Sequence, residues 1–359
     1  METPAVVKMD AYDPEMSRIR EIAKACLENK IIAFPTETVY GIGGRMGMPG
    51  IAEKLYEMKG RPGSKPFAYH IADWKMLEML GVVQTPRLRF MARRFWPGPV
   101  TLIVKDTFGQ KIGIRFVKNK IASILINEIR EPLVASSANR SGQPSPHTAQ
   151  QVKKNLEGAF DFLIDAGKTE YSIDSSVVDI SEDVPVILRV GALKAEIEKA
   201  VDDIKRGKIP RKKILIVCTG NSCRSPMAEG WLRNEIDKRG LTDQIDVSSC
   251  GMGARDGLPA SPEAELVMSN RQIDIGGHRT HHCSKSDVWG ADLILAMSSQ
   301  HAADLSRLIP SAKDKTIVLD VADPIGMGMD VYEVTLSEIE KKMKQFINEI
   351  IKLDQTEKA

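Results

Sequence analysis

The chain is predicted to be α/β and to fold as two domains, on three observations. Its 359 residues suffice for two domains of ordinary size, each with its own core. An apolar run, Ile214-Leu-Ile-Val217, passes through a short polar loop into a segment with apolar residues at helical spacing, the opening of a doubly wound parallel sheet. Upstream, an amphipathic stretch is stopped by a glycine and a proline just before that run, which places the division between 1–206 and 207–359.

In chain order, Ile31-Ile-Ala-Phe34 reads as a buried strand running into Pro35-Thr-Glu-Thr-Val-Tyr-Gly41. Lys59-Gly-Arg61-Pro-Gly-Ser-Lys65-Pro66 then sets three cations among glycine and proline, a cluster suited to phosphate or carboxylate oxygens. Further blocks are Trp96-Pro-Gly-Pro-Val-Thr101, Ile112-Gly-Ile-Arg115, Pro132-Leu-Val-Ala-Ser-Ser-Ala-Asn-Arg-Ser-Gly142, Ser175-Ser-Val-Val-Asp179 and Ile187-Leu-Arg-Val-Gly191. Leu193, Ile197, Val201 and Ile204 share one face of a helix, and Gly207-Lys-Ile-Pro210-Arg-Lys-Lys213 follows as a short basic linker. After the loop, Met227, Ala228, Trp231 and Leu232 define a helix over 226–236. Leu336, Ile339, Met343, Phe346 and Ile350 form the core face of a closing helix.

Charge divides unevenly: residues 1–195 hold 27 Lys+Arg against 22 Asp+Glu, whereas 196–359 hold 23 against 26, so the first half is the better match for a polyanion. Five cysteines, odd in number and without framework spacing, point to a reducing compartment. The beginning of the sequence lacks the apolar core of a signal peptide, and no apolar run approaches membrane-spanning length, so a cytoplasmic location is expected. His281-His-Cys283 lacks a second cluster at ligand spacing, so a surface turn is expected there and no metal site.

Cys218-Thr-Gly-Asn-Ser-Cys-Arg224-Ser225 sets a thiol and a guanidinium at the two ends of one loop that opens a helix. Free N–H groups and the dipole at a helix N-terminus attract anions, and with Arg224 they favour thiolate at Cys218, making it a nucleophile near neutral pH. Gly220 and Asn221 tolerate the left-handed angles that turn N–H groups inward. Cys223 has two open readings, a reversible disulfide partner for Cys218 or a packing thiol.

From about Lys213 to Leu353 the chain resembles the low-molecular-weight protein tyrosine phosphatases, on C-x5-R-[ST] followed by Pro226-Met-Ala-Glu229 and on Asp323-Pro324 with Gly326 close behind. The resemblance implies that Cys218 attacks phosphorus, that Asp323 protonates the leaving group and then activates water, and that Arg224 with the loop at Gly220, Asn221 and Ser222 holds the phosphoryl oxygens. It further implies that Ser225 hydrogen-bonds the thiolate and that no cofactor is needed. Tyrosine-directed members usually carry a bulky aliphatic residue where this chain has Ser222, and aromatic residues where it has Ile325 and Gly326. Arginine-directed members place a threonine at the Ser222 position, so phosphotyrosine and phosphoarginine both stay open. Met327-Gly-Met329 either lines this pocket or makes its loop adaptable.

Over about 12–195 these blocks, in the right order, resemble the YrdC-type threonylcarbamoyl-AMP synthases in their short form. That resemblance implies an α/β domain with a large twisted sheet around a concave nucleotide site. It also implies condensation of L-threonine, bicarbonate and ATP to threonylcarbamoyl-adenylate and pyrophosphate, with Mg²⁺ assisting. The product feeds a tRNA modification made by a separate transferase complex, and contact with tRNA or that complex is open. Thr38, Tyr40, Lys59, Arg61 and Lys65 fall where the family binds threonine, carbonate and phosphates. Arg115, Ser137, Asn139, Ser175 and Arg189 fall where it binds the nucleotide. At Phe116-Val117 the chain departs from the usual pattern, a branched residue and then proline.

Three rivals are set aside on residues. A non-catalytic RNA-binding module would not need the full set of Lys59, Arg61, Lys65, Arg115 and Asn139. A hydrogenase maturation factor would carry Cys-x-x-Cys zinc motifs and an acylphosphatase domain. An arsenate reductase would need a downstream pair of resolving cysteines, and in the sequence Cys283 stands without a partner.

Overall fold

The structure is a computed structural model and describes residues 4–60, 63, 66–156 and 158–352. It separates into two compact units, residues 1–207 and 208–359. Among the described residues no helix is long and apolar enough to cross a membrane.

The first unit is built on ten strands: β1 Ala5–Lys8, β2 Ile32–Pro35, β3 Tyr40–Arg45, β4 Ala68–Ile71, β5 Val100–Lys105, β6 Lys111–Phe116, β7 Leu133–Ser137, β8 Phe162–Asp165, β9 Ser176–Asp179 and β10 Val186–Arg189. They form one mixed sheet in the order β1-β8-β2-β3-β7-β4-β6-β5-β9-β10. Its middle is apolar because β2 is buried throughout and β3, β6 and β7 largely so. β3 carries glycines where its neighbour comes close, and a Cβ at Gly43 would lie 2.2 Å from the Val134 carbonyl oxygen. The helix Met16–Leu27 covers the sheet with Ile19, Ile22, Ala23 and Cys26, one face at i, i+3, i+4 and i+7. Helices Pro86–Phe95 and Lys120–Ile129 start where Thr85 and Asn119 accept from the backbone N–H groups of Leu88 and Ala122. The amphipathic stretch before the division is the helix Lys194–Lys205, which buries Ile197, Val201 and Ile204. Leu193 is not on that face; it precedes the helix at φ 61°.

In the second unit β11 Lys212–Cys218, β12 Ile245–Gly251, β13 Leu293–Ala296 and β14 Thr316–Val318 form an all-parallel sheet in the order β12-β11-β13-β14. The run Ile214 to Val217 is fully buried between two parallel neighbours, as a continuous apolar strand requires. After β11 the chain turns to one side for β12 and later to the other for β13. The end of β11 is therefore the switch point where such sheets bind ligands, and Cys218 sits there. The closing helix Met329–Ile351 buries Leu336, Ile339, Met343 and Ile350, with Phe346 packed partly against the same core.

Candidate active sites

In the first unit a cavity of about 600 Å³ opens over the sheet. Thr38, Arg115, Ser137, Ser175 and Arg189 all line it, brought together from the β2–β3 turn, β6, β7, the start of β9 and β10. Arg115 donates from Nη2 to Glu37 Oε1 at 2.8 Å and to the Thr38 hydroxyl at 3.2 Å; the Glu37–Arg115 pair is almost entirely buried. Arg189 donates to the Ser175 carbonyl and hydroxyl, both at 2.8 Å, and that hydroxyl lies 3.2 Å from Thr101 Oγ1. Burial lowers the pKa of Arg189, repulsion from Arg115 adds to this, and Asp174 opposes it.

Tyr40, Lys59 and Asn139 are not among the described residues that line this cavity. Lys59 ends the helix Ile51–Lys59, and its ammonium donates to the carbonyls of Ser137 and Asn139. The cation therefore pins the loop after β7. Asn139 points its amide at the carbonyls of Arg140 and Gln143. Tyr40 is fully buried, donates to the Gly167 carbonyl at 2.8 Å, and is pushed up to about 12 by burial. Arg61 and Lys65 lie outside the described residues.

Sequence reasoning missed Glu37 and His70. His70 lines the cavity; burial, and then Arg115, push it down to about 3, so it is a neutral imidazole at physiological pH. Only the position of Glu37 inside the Pro35–Gly41 block hinted at it, because a lone carboxylate in a turn reads as solvated.

In the second unit the loop after β11 is held from several sides. Cys218 Sγ lies 3.0 Å from Ser225 Oγ and accepts from the Asn221 N–H at 3.2 Å. Asn221 is left-handed at φ 55°, with its amide donating to Ser225 Oγ and Ser249 Oγ at 2.9 and 2.8 Å. Its two oxygens are bound as well, the side-chain one by the His281 N–H and the carbonyl one by His278 Nε2, both at 2.8 Å. Of the two residues that tolerate the left-handed conformation, Gly220 does not take it, since one inverted residue suffices to turn the loop. Arg224 donates to the Val321 carbonyl at 3.0 Å and pairs with Asp323, which brings the distant Asp-Pro segment to the catalytic loop.

Opposing influences act on the Cys218 thiol. Burial pushes the Cys218 thiol above its ordinary value, against the pull of Ser225, the Asn221 N–H and Arg224. The physical reason is that the sulfur is buried, which disfavours its charged form.

Cys223 is buried, with its sulfur 3.1 Å from the Tyr332 hydroxyl. His281 is half exposed and pairs with Asp287 at 2.9 Å. Among the described residues no group of three or more His, Cys, Asp or Glu could hold a metal ion. Cys283 and Cys250 are both free and buried, and the neighbouring Cys283 thiol, with burial, raises the Cys250 pKa. Both thiols are buried, so the arsenate reading gains nothing from them.

Residues 24–191 match the Sua5/yciO/yrdC family, described as telomere recombination, and residues 213–356 match the low molecular weight phosphotyrosine protein phosphatase family. A protein-arginine-phosphatase of Geobacillus stearothermophilus is 36% identical over 137 residues, covering 36% of this chain and 88% of its own length. The putative threonylcarbamoyl-AMP synthase of Mycobacterium tuberculosis is 31% identical over 198 residues, covering 52% of this chain and 91% of its own. The chain belongs to both families, one in each unit.

The Sua5/YrdC unit is also similar to the threonylcarbamoyl-AMP synthase of Pyrococcus abyssi, 38% identical over 198 residues, or 52% of this chain. The match spans only 58% of that relative's length. A solved structure of P. abyssi Sua5 complexed with L-threonine superposes with TM-score 0.53 at 25% identity, covering 88% of this chain and 99% of that one.

Proposed function

We propose that the protein is a bifunctional enzyme, divided near residue 207, acting in the cytoplasm. The Sua5/YrdC unit condenses L-threonine, bicarbonate and ATP to L-threonylcarbamoyl-AMP, pyrophosphate and water, and the phosphatase-family unit dephosphorylates a phosphoprotein through Cys218. For the first reaction the carrying observation is the cavity that gathers Thr38, Arg115, Ser137, Ser175 and Arg189. The P. abyssi relative holds L-threonine, which supports the same amino acid here. Joining threonine to bicarbonate gives an N-carboxylate whose oxygen attacks the α-phosphorus of ATP, with pyrophosphate leaving. Mg²⁺ enters with ATP as part of the substrate. No covalent intermediate on the protein is needed, so positioning and charge neutralisation by Arg115 and Arg189 do most of the work. The product is passed to a separate transferase that modifies tRNA. Five free cysteines, all buried, fit a reducing compartment.

For the second reaction the carrying observation is the convergence of Cys218, Arg224 and Asp323 from the two ends of one loop and a segment 99 residues further on. Arg224 and the loop amides hold the equatorial phosphoryl oxygens, Cys218 forms a phosphocysteine, and Asp323 protonates the leaving group and later activates water. Asp323 must first release Arg224, which returns the guanidinium's full field to the loop. Asp323→Asn should therefore lower the pKa of Cys218, read as an earlier rise in alkylation rate with pH. An unmoved or raised pKa would show that the ion pair does not restrain the thiol.

Specificity turns on Ser222, half-buried in the loop with its hydroxyl 3.5 Å from Cys223 Sγ, and on Ile325, which is exposed. A phosphotyrosine ring finds no aromatic partner at Ile325 or Gly326, and each such pairing is worth about 0.5–1.5 kcal/mol. A hydroxyl at 222 suits the orientation of water for a phosphoramidate, and the Geobacillus relative is a protein-arginine-phosphatase. The full chain should therefore act on both phosphotyrosine and phosphoarginine, and Ser222→Ile should raise the ratio toward phosphotyrosine. A wild-type enzyme strongly selective for phosphotyrosine, with the ratio unmoved by Ser222→Ile, would remove Ser222 from the account. Assay of each reaction in the full chain, threonine-dependent pyrophosphate release for one and phosphate release for the other, tests both halves.

A further inference from the structure

Behind the catalytic loop of the phosphatase-family unit lies a polar chain that the mechanism above does not use. His301, buried on the helix Ser299–Leu308, faces Thr219, the residue immediately after Cys218, with Nε2 3.0 Å from Thr219 Oγ1. Its other nitrogen, Nδ1, lies 2.8 Å from Ser298 Oγ. Thr219 Oγ1 is in turn 3.5 Å from Arg224 Nη2, the nitrogen that pairs with Asp323.

The direction of this chain follows from what each group can do. A guanidinium only donates, so Thr219 accepts from Arg224 and has its own hydrogen left to give to His301 Nε2. With Thr219 donating, the imidazole is neutral and carries its proton on Nδ1, facing Ser298. Burial and the charge of Arg224 keep it so, while Asp304 on its own helix and Asp323 pull the other way.

We propose that His301 is a positioning residue for phosphoryl transfer: through the Thr219 hydroxyl it fixes the Arg224 guanidinium in the orientation that receives the phosphoryl oxygens. The assignment rests on the phosphatase reading of this unit. It separates the arginine's two duties, since the Val321 carbonyl holds one nitrogen and the Thr219–His301 pair steadies the one that leaves Asp323 for substrate.

The test uses the full chain, turnover of p-nitrophenyl phosphate and competitive inhibition by inorganic phosphate. His301→Ala should raise the phosphate inhibition constant and lower kcat/KM, each by about tenfold, because a misplaced guanidinium weakens ground-state and transition-state contacts alike. His301→Gln should restore most of the loss, since its amide oxygen can accept from Thr219 where Nε2 does. Thr219→Val should reproduce the defect, and adding His301→Ala to it should cost nothing more, the signature of one coupled unit. An inhibition constant for His301→Ala within about twofold of wild type would overturn the proposal, as would additive losses in the double variant or a glutamine variant as impaired as the alanine one. Thr219→Val keeps the test decisive should His301→Ala fold poorly. A wild-type chain that neither turns over the aryl phosphate nor is inhibited by phosphate would sink the phosphatase reading itself, and this proposal with it.

Discussion

Cys218→Ser should reduce phosphatase turnover by about ten-thousandfold or more while leaving threonine-dependent pyrophosphate release intact. The hydroxyl is a far weaker nucleophile than the thiolate, and the loop that holds Cys218 keeps its other contacts: Asn221 binds Ser225 and Ser249 without using the sulfur. Binding should therefore survive, and the variant should still be protected by inorganic phosphate against thermal unfolding. Residual hydrolysis within about tenfold of wild type would refute covalent catalysis by Cys218. A simultaneous loss of pyrophosphate release would refute the assignment of the two reactions to separate units.

Lys59→Ala should depress threonine-dependent pyrophosphate release by about thirtyfold or more, equivalent to about 2 kcal/mol. In the structure this cation organises the site by binding the carbonyls of Ser137 and Asn139, and Ser137 lines the cavity. Truncation removes a charge-assisted anchor and lets the loop after β7 move, so the loss should appear in kcat as well as in KM for ATP. Phosphatase turnover should be unchanged. If Lys59→Ala retains full synthase activity, neither contact to a reacting group nor loop anchoring by Lys59 matters to the reaction.

Much of the phosphatase-family site was legible because its chemistry is local. The apolar strand, the Cys218-to-Arg224 loop and the following helix are contiguous, and the Ser225 contact to Cys218 spans seven residues. Asp323 could be named from Asp-Pro, but its pairing with Arg224 depends on a crossover through β12, β13 and β14. His301 was not legible, since one polar residue in an amphipathic helix looks solvated until the helix is docked behind the loop. Gly220 and Asn221 both tolerate the left-handed conformation, and only the closed loop shows that Asn221 is the one that takes it.

The sequence by itself determined the α/β class, the division into two units and the residue types that meet anions, because periodicity, turn residues and short motifs act over a few neighbours. Tertiary structure alone decided the strand order of the ten-stranded sheet, the burial of the Glu37–Arg115 pair, the neutral state of His70 and the bonds of Lys59 to the Ser137 and Asn139 carbonyls. It also set burial of the Cys218 thiol against the pull of Ser225, Asn221 and Arg224. These outcomes depend on which groups are brought together across the sheet and how far water is excluded from them. Desolvation and charge pairing belong to the packed site, and no stretch of sequence contains them.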